Sequence, residues 1–155
     1  MKKLSKVDIR YLAGFFDGEG SVGIYKDHGY HRVRIQIANK DIGVLEWVKS
    51  VAGNGHVYGN VVNNKTCSMF QTSSGFAINL LRLIYPYLKV KRNQVELVLT
   101  FESVPRGYKL NEKELLRRDD LANRVNRMNS MKGKKISERG KWDRNLYNIP
   151  DKTLW

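Results

Sequence analysis

Two carboxylates stand among three glycines near the start of the chain. In YLAGFFDGEGSVGIY, residues 11 to 25, Asp17 and Glu19 are set between Gly14, Gly18 and Gly20. A carboxylate offers hard oxygen ligands to a divalent cation, or acceptors to unpaired backbone N–H groups. Asp17 and Glu19 are two residues apart, so they cannot share one face of a regular helix and must do different work. Glu19 falls where a helical apolar pattern stops and a β run begins, so it can point at whatever lies on the sheet. Asp17 suits a structural task, accepting from free N–H groups at the start of a neighbouring helix. Gly14 and Gly18 are four apart, on one helix face. Each costs about 1 kcal/mol relative to alanine inside a helix, a cost that close approach of a second backbone would offset.

The elements that must position these residues follow from spacing. Ser5 and Asp8 form a capping box, with Val7, Tyr11, Leu12, Phe15 and Phe16 recurring at helical intervals up to a stop near Gly18 to Gly20. SVGIYK (21–26) and YHRVRIQIAN (30–39) then read as a hairpin. Val33, Ile35 and Ile37 point one way and Arg32, Arg34 and Gln36 the other, giving one buried face and one basic face. Asp41 caps a helix running to about residue 52, and Gly53-Asn54-Gly55 breaks it. A second hairpin, GHVYGNVV and KTCSMFQTS, turns near Asn63-Asn64. FAINLLRLIYPYL is a helix interrupted at Pro86, and Asn93 to Phe101 is another. After a loop at SVPRGYKLN, a basic helix spans about 111–131, with apolar residues at 115, 116, 121, 125 and 128. The tail to Trp155 is Lys- and Gly-rich, and its Trp142, Tyr147 and Trp155 could dock on the body. The order is α-β-β-α-β-β-α with C-terminal helices, an α+β chain without an internal linker. The second helix and hairpin echo the first weakly, too weakly to be a repeat.

The 155 residues suit one domain and, at 41% hydrophobic, can bury a core. Lys and Arg number 28 against 15 Asp and Glu, a net charge of +13 that favours a polyanionic partner. The single cysteine, Cys67, excludes an internal disulfide framework. His28, His31 and His56 do not combine with it in a zinc spacing. No apolar run reaches a membrane span, and MKKLSKVDIR lacks the apolar core of a secretory signal, so an intracellular protein is expected.

The opening segment resembles the motif of the LAGLIDADG homing endonucleases. Leu12, Ala13, Gly14, Phe15, Phe16, Asp17, Gly18, Glu19 and Gly20 stand at its nine positions. The α-β-β-α-β-β-α order also matches that family's core, and PYLKVKRNQVELVL (86–99) resembles its later basic segment. The resemblance covers roughly residues 5 to 103, leaving about 104–155 as a C-terminal helical and basic extension of a single domain. It implies the αββαββα fold, with the antiparallel sheet forming a saddle in the DNA major groove. It implies a site-specific endonuclease that hydrolyses both strands of a long pseudo-palindromic duplex target in intron homing. Mg²⁺ would be held by Glu19 and the Gly18 carbonyl. Mn²⁺ or Ca²⁺ could substitute, Ca²⁺ supporting binding without cleavage. Glu19 stands where Asp is commonest, its extra methylene moving the carboxylate by about one bond.

The family uses two motif copies and this chain has one, so the resemblance implies a homodimer with Leu12, Ala13, Gly14, Phe15, Asp17 and Gly18 at the seam. Asn39 would order the attacking water and Lys91 would stabilise charge near the scissile phosphate, with Lys89 and Arg92 beside it. Base contacts are expected from Tyr25, Tyr30, Arg32, Arg34 and Gln36 on the first hairpin and from Tyr58, Asn60 and Ser68 on the second, with Asp27 and Thr66 as weaker candidates. The alternative on the same fold is a non-cleaving nucleic-acid binder or an intron RNA-splicing maturase. A GIY at 23–25 with VYG at 57–59 suggests another nuclease signature, GIY-YIG, but its halves are too far apart and GIY falls inside the first strand.

Overall fold

The computed structural model describes residues 4–27, 30–62, 65–102 and 111–130. Helix α1 (Lys6–Glu19) starts on the capping box: Ser5 accepts from the Asp8 N–H, and the Asp8 carboxylate accepts from the Ser5 N–H. It runs directly into strand β1 (Gly20–Asp27), which pairs with β2 (Tyr30–Asn39). Helix α2 (Ile42–Ala52) is capped by Asp41 and ends on Gly53 in the left-handed region at φ 76°. Strands β3 (His56–Val62) and β4 (Lys65–Ser73) form the second hairpin. Helix α3 (Ser74–Ile84) gives way at Pro86 to a single 3₁₀ turn (Tyr85–Tyr87), because proline supplies no N–H to continue an α-helix. Helices α4 (Arg92–Glu102) and α5 (Glu112–Ser130) complete the order. The predicted C-terminal aromatics and the loop at 103–110 lie outside the described residues.

The four strands form one antiparallel sheet in the order β1-β2-β4-β3. Period-2 alternation divides it into two faces. Val22, Ile24, Val33, Ile35, Ile37 and Phe70 point into the core. They meet Leu12 and Phe16 of α1, Leu45 and Val48 of α2, Ile78 and Leu81 of α3, Val95 and Val98 of α4 and Leu121 and Val125 of α5. Among the described residues the other face carries no apolar stripe to bury and is not covered by a helix. This is the α+β saddle expected from the sequence.

The last helix departs from expectation. It is not an appendage to a core ending at 103, because Leu121, Ala122 and Val125 are buried in the same cluster as the motif helix. Leu115 and Leu116, expected on its apolar stripe, are exposed instead. Asn129 donates from Nδ2 to the Val22 carbonyl on edge strand β1, 2.7 Å. Asp119 bonds to His31 Nε2 at 2.8 Å, with Lys26 at 3.5 Å. The Asp119 carboxyl is held below the usual range, first by the His31 hydrogen bond, opposed by partial burial, and further by the Lys26 charge. Among the described residues no helix is long and apolar enough to cross a membrane.

The passage from α1 into β1 is tightly packed. A Cβ at Gly20 would stand 2.3 Å from the Phe16 ring and 2.7 Å from the Phe16 carbonyl. The carbonyl cannot swing away, since the Gly20 N–H bonds to it to close the helix. Gly20→Ala is therefore expected to destabilise the fold by about 3 kcal/mol, the upper end for overpacking. That is roughly 6–12 °C in Tm for a chain of this size. A loss under about 1 °C in thermal unfolding would show that the Phe16 packing is not as tight as drawn.

Candidate nucleic-acid interface and motif site

Asp17 and Glu19 diverge as their spacing requires. The Asp17 carboxylate accepts three backbone N–H groups, from Lys89 at 2.7 Å, Val90 at 3.1 Å and Lys91 at 3.0 Å. These are the unpaired donors just before α4, so Asp17 ties the motif helix to the basic segment. Lys91 completes the tie. Its Nζ bonds to the Asp17 carbonyl, and its side chain, only 3% exposed, lies 5.9 Å from the Phe16 ring centroid. In this conformation the lysine faces the end of α1 rather than open solvent. Lys89 and Arg92 are exposed on either side, and the Arg92 guanidinium sits 4.7 Å over the Tyr85 ring.

Glu19 is exposed at the last position of α1. A helix C-terminus carries partial negative charge on its carbonyls. The Glu19 carboxylate and the Gly18 carbonyl are hard oxygen donors, and they fit Mg²⁺, which needs only one or two protein carboxylates beside water and phosphate oxygens. Among the described residues, no three His, Cys, Asp or Glu side chains cluster as a metal site. Asn39 lies at this end of the sheet, two residues past the Gly20–Ile37 pair. Its Oδ1 accepts the Asp41 N–H at 2.9 Å and so shapes the turn into α2.

The outward face of α1 is bare. Val7, Tyr11, Gly14 and Gly18 follow one another at helical spacing along it; Val7 is 72% and Tyr11 55% exposed. Among the described residues, and apart from the helix's own neighbouring backbone, no atom stands within 4 Å of where a Cβ would be at Gly14 or Gly18. Tyr11 stacks on Phe15 at 6.1 Å and meets Trp47 edge-on at 5.6 Å, which stiffens the rim of this face. The expected seam needs correction here. Leu12 and Ala13 are fully buried in the chain's own core and Asp17 is engaged with the segment before α4, so none of them faces outward. The exposed side chains on that face are Val7 and Tyr11.

The open sheet face presents Tyr25 from β1, Tyr30, Arg32, Arg34 and Gln36 from β2, and Tyr58 from β3. The Arg34 guanidinium lies 4.6 Å over the Tyr25 ring. Gly23, directly opposite Arg34, makes room: a Cβ there would be 2.7 Å from that ring. Ser68 is a second correction. It is 4% exposed and shares the inner face with Phe70 and Thr72, so the outward positions of β4 are Cys67, Met69 and Gln71. The signal was in the turn. The turn expected near Asn63-Asn64 lies outside the described residues, but the register it would set is seen in the strands: Tyr58 pairs with Met69 and Gly59 with Ser68, and paired residues share a face. Thr66 pairs with Val61 and Asn60 with Cys67; the side chains of Asp27, Asn60 and Thr66 lie outside the described residues.

No family model and no curated protein matches the sequence. Solved structures do. The homing endonuclease I-CvuI, solved in complex with the I-CreI target in 2 mM Mg with the DNA not cleaved, matches with a TM-score of 0.67 at 25% identity, over 84% of this chain and 87% of that one. The archaeal intron-encoded homing endonuclease I-Vdi141I, complexed with DNA, gives 0.64 at 23% identity, over 90% and 91%. The LAGLIDADG meganuclease I-AabMI, bound to uncleaved DNA, gives 0.60 at 24% identity; 74% of this chain is matched, but only 43% of that one. The chain thus has the fold of the LAGLIDADG homing endonucleases, and the motif that resembles theirs closes its first helix at residues 12–20.

Proposed function

We propose that the chain is a divalent-metal-dependent endonuclease that acts as a homodimer on a specific duplex DNA target. One observation carries this reading. The motif helix ends in an exposed carboxylate beside an open basic sheet face, and its own outward face is bare at Gly14 and Gly18. Two such helices can approach backbone to backbone, bringing two Glu19 carboxylates near one two-fold axis. The match to nearly all of I-Vdi141I but under half of I-AabMI supports a chain that supplies one unit of a two-unit body.

Each part of the chain has a task in this scheme. The sheet face lies in the major groove, where Arg32 and Arg34 suit guanine and the tyrosines and Gln36 suit mixed polar edges. Lys89, Arg92 and the general excess of positive charge bind phosphates and fix the register. Asp17 and Lys91 hold the carbonyl end of α1 rigidly against the segment before α4, so Glu19 keeps its aim. Glu19 with the Gly18 carbonyl would hold Mg²⁺, which when bound neutralises charge on the attacking and leaving oxygens and eases formation of hydroxide. Water adds to phosphorus and one P–O ester bond breaks, leaving a phosphate monoester and a hydroxyl.

The test is selection from a randomised duplex library in Ca²⁺, followed by incubation of the selected duplex with Mg²⁺. Both strands should be cut within the selected site. Binding should weaken steeply with salt, with log affinity falling by about 0.9 per phosphate contact per log unit. Two chains of +13 make six or more contacts a reasonable expectation, hence a loss on the order of 10³-fold from 50 to 200 mM. A flat salt response would remove the large DNA interface. Specific binding with no cleavage in any divalent metal would replace this reading with the non-cleaving binder.

A further inference from the structure

On the open sheet face Gln36 and Tyr58 join Met69 and Gln71, which have no task in the scheme above, in one hydrogen-bonded cluster. Gln36 and Gln71 are direct cross-strand partners on β2 and β4, and Met69 is paired with Tyr58 across β4 and β3. Gln36 Nε2 donates to Gln71 Oε1 at 3.0 Å and to Met69 Sδ at 3.4 Å. The Tyr58 hydroxyl lies 3.3 Å from the same Gln71 Oε1 and 3.2 Å from the same Met69 Sδ.

Two bonding patterns would satisfy the amides alone. Gln36 could donate to Gln71, or both amides could flip and Gln71 donate to Gln36; the tyrosine hydroxyl fits either, since it both donates and accepts. Met69 breaks the tie. In the flipped state Gln36 Oε1 would stand against the lone pairs of the sulfur, whereas a thioether, a weak acceptor, can receive the NH₂, and this favours the state in which Gln36 turns its NH₂ inward. Gln71 must then turn its oxygen inward to receive that NH₂. The consequence is polar. Gln71 faces the groove with Nε2 and its two donors, while Gln36 is left with Oε1 as its outward acceptor.

We propose that Met69 is a positioning residue that fixes the readout of Gln71 as donor-only and of Gln36 as acceptor-only, so that Gln71 selects guanine. A glutamine ordinarily pairs with adenine through its oxygen and nitrogen together. With Gln71 Oε1 occupied, that pairing is closed, and the adjacent N7 and O6 acceptors of guanine are the edge that two donors match. Gln36 reads a single donor, adenine N6 or cytosine N4. This inference rests on the sheet face reading DNA in the major groove.

The experiment uses the full chain and a randomised duplex library in Ca²⁺. Gln71→Ala identifies the base pair that Gln71 reads, as the one position whose preference collapses. At that position the wild type should favour guanine over adenine by about tenfold, the lower part of the range for bidentate contacts. Met69→Leu keeps the volume but removes the acceptor, and should reduce the preference there to about twofold or less while preferences elsewhere hold. Gln36→Glu places an acceptor-only group against Gln71, whose NH₂ must turn inward. The preference should then move from guanine to adenine or cytosine, at a base pair that residue 36 does not touch. A purely structural role for Met69 would lower affinity for every duplex alike, and that result overturns the proposal. So does a Gln36→Glu protein that still selects guanine, or a Gln71→Ala protein whose whole consensus is unchanged. In these cases the DNA-reading function stands; a wild type that selects no consensus removes both.

Discussion

Glu19→Gln is expected to abolish cleavage while specific binding survives or tightens. Glutamine keeps the size and shape of the side chain but loses the charge that attracts a divalent cation to the end of α1. The partial negative charge of the helix end remains, but it is too weak to hold Mg²⁺ against its hydration shell. Losing the metal's share of transition-state stabilisation, about 4 kcal/mol or more, lowers the rate by roughly 10³-fold or more. Binding moves the other way, because two carboxylates no longer face the phosphates. Gel shift and cleavage on one duplex, with and without Mg²⁺, separate the two effects. Asp17→Asn is the control. It keeps one of the oxygens that accept the N–H groups of Lys89, Val90 and Lys91, so it should cost stability, about 1–2 kcal/mol, and change activity only through the aim of α1. A Glu19→Gln protein that cuts at the wild-type rate would move the metal site elsewhere.

Gly14→Leu is expected to separate the homodimer without unfolding the chain. Among the described residues a Cβ at position 14 meets no atom within 4 Å beyond its own helix, and leucine is the better helix former by nearly 1 kcal/mol. Helical content should therefore hold. At a two-fold seam the same side chain appears twice, opposite its own copy. Overpacking of 1–3 kcal/mol for each raises the dimer dissociation constant by roughly 10²-fold or more. Cleavage of both strands should fall with it. Sedimentation showing an intact dimer would place the seam on another surface. A wild-type monomer that cuts both strands would remove the seam altogether.

The elements were legible because short-range physics sets them. The Ser5–Asp8 box, the alternation of β2 and Pro86 each act within a few residues, and the structure follows them closely. The divergence of Asp17 and Glu19 is also local, since two carboxylates two residues apart point different ways on any helix. The errors came where a face had to be assigned. In KTCSMFQTS, Met69 and Phe70 are adjacent and both apolar, so alternation alone does not say which points inward. The core chose Phe70, and Ser68 went in with it.

The order of elements, the basic character of one sheet face, the glycine face of α1 and the motif that resembles a known family can all be read along the chain. All of these depend on residue type and spacing along the chain. Only the tertiary structure decided which half of the motif belongs to the core. Leu12 and Ala13 are buried because the sheet lies beneath them, whereas Val7 and Tyr11 stay exposed because none of the described residues covers them. It also decided that Lys91 folds back on the Asp17 carbonyl, across a separation of 74 residues, and that α5 shares the core. The orientation of Gln71 was likewise beyond the sequence. It depends on a sulfur, a hydroxyl and a second amide arriving from three strands at once, and no spacing along one strand encodes that meeting.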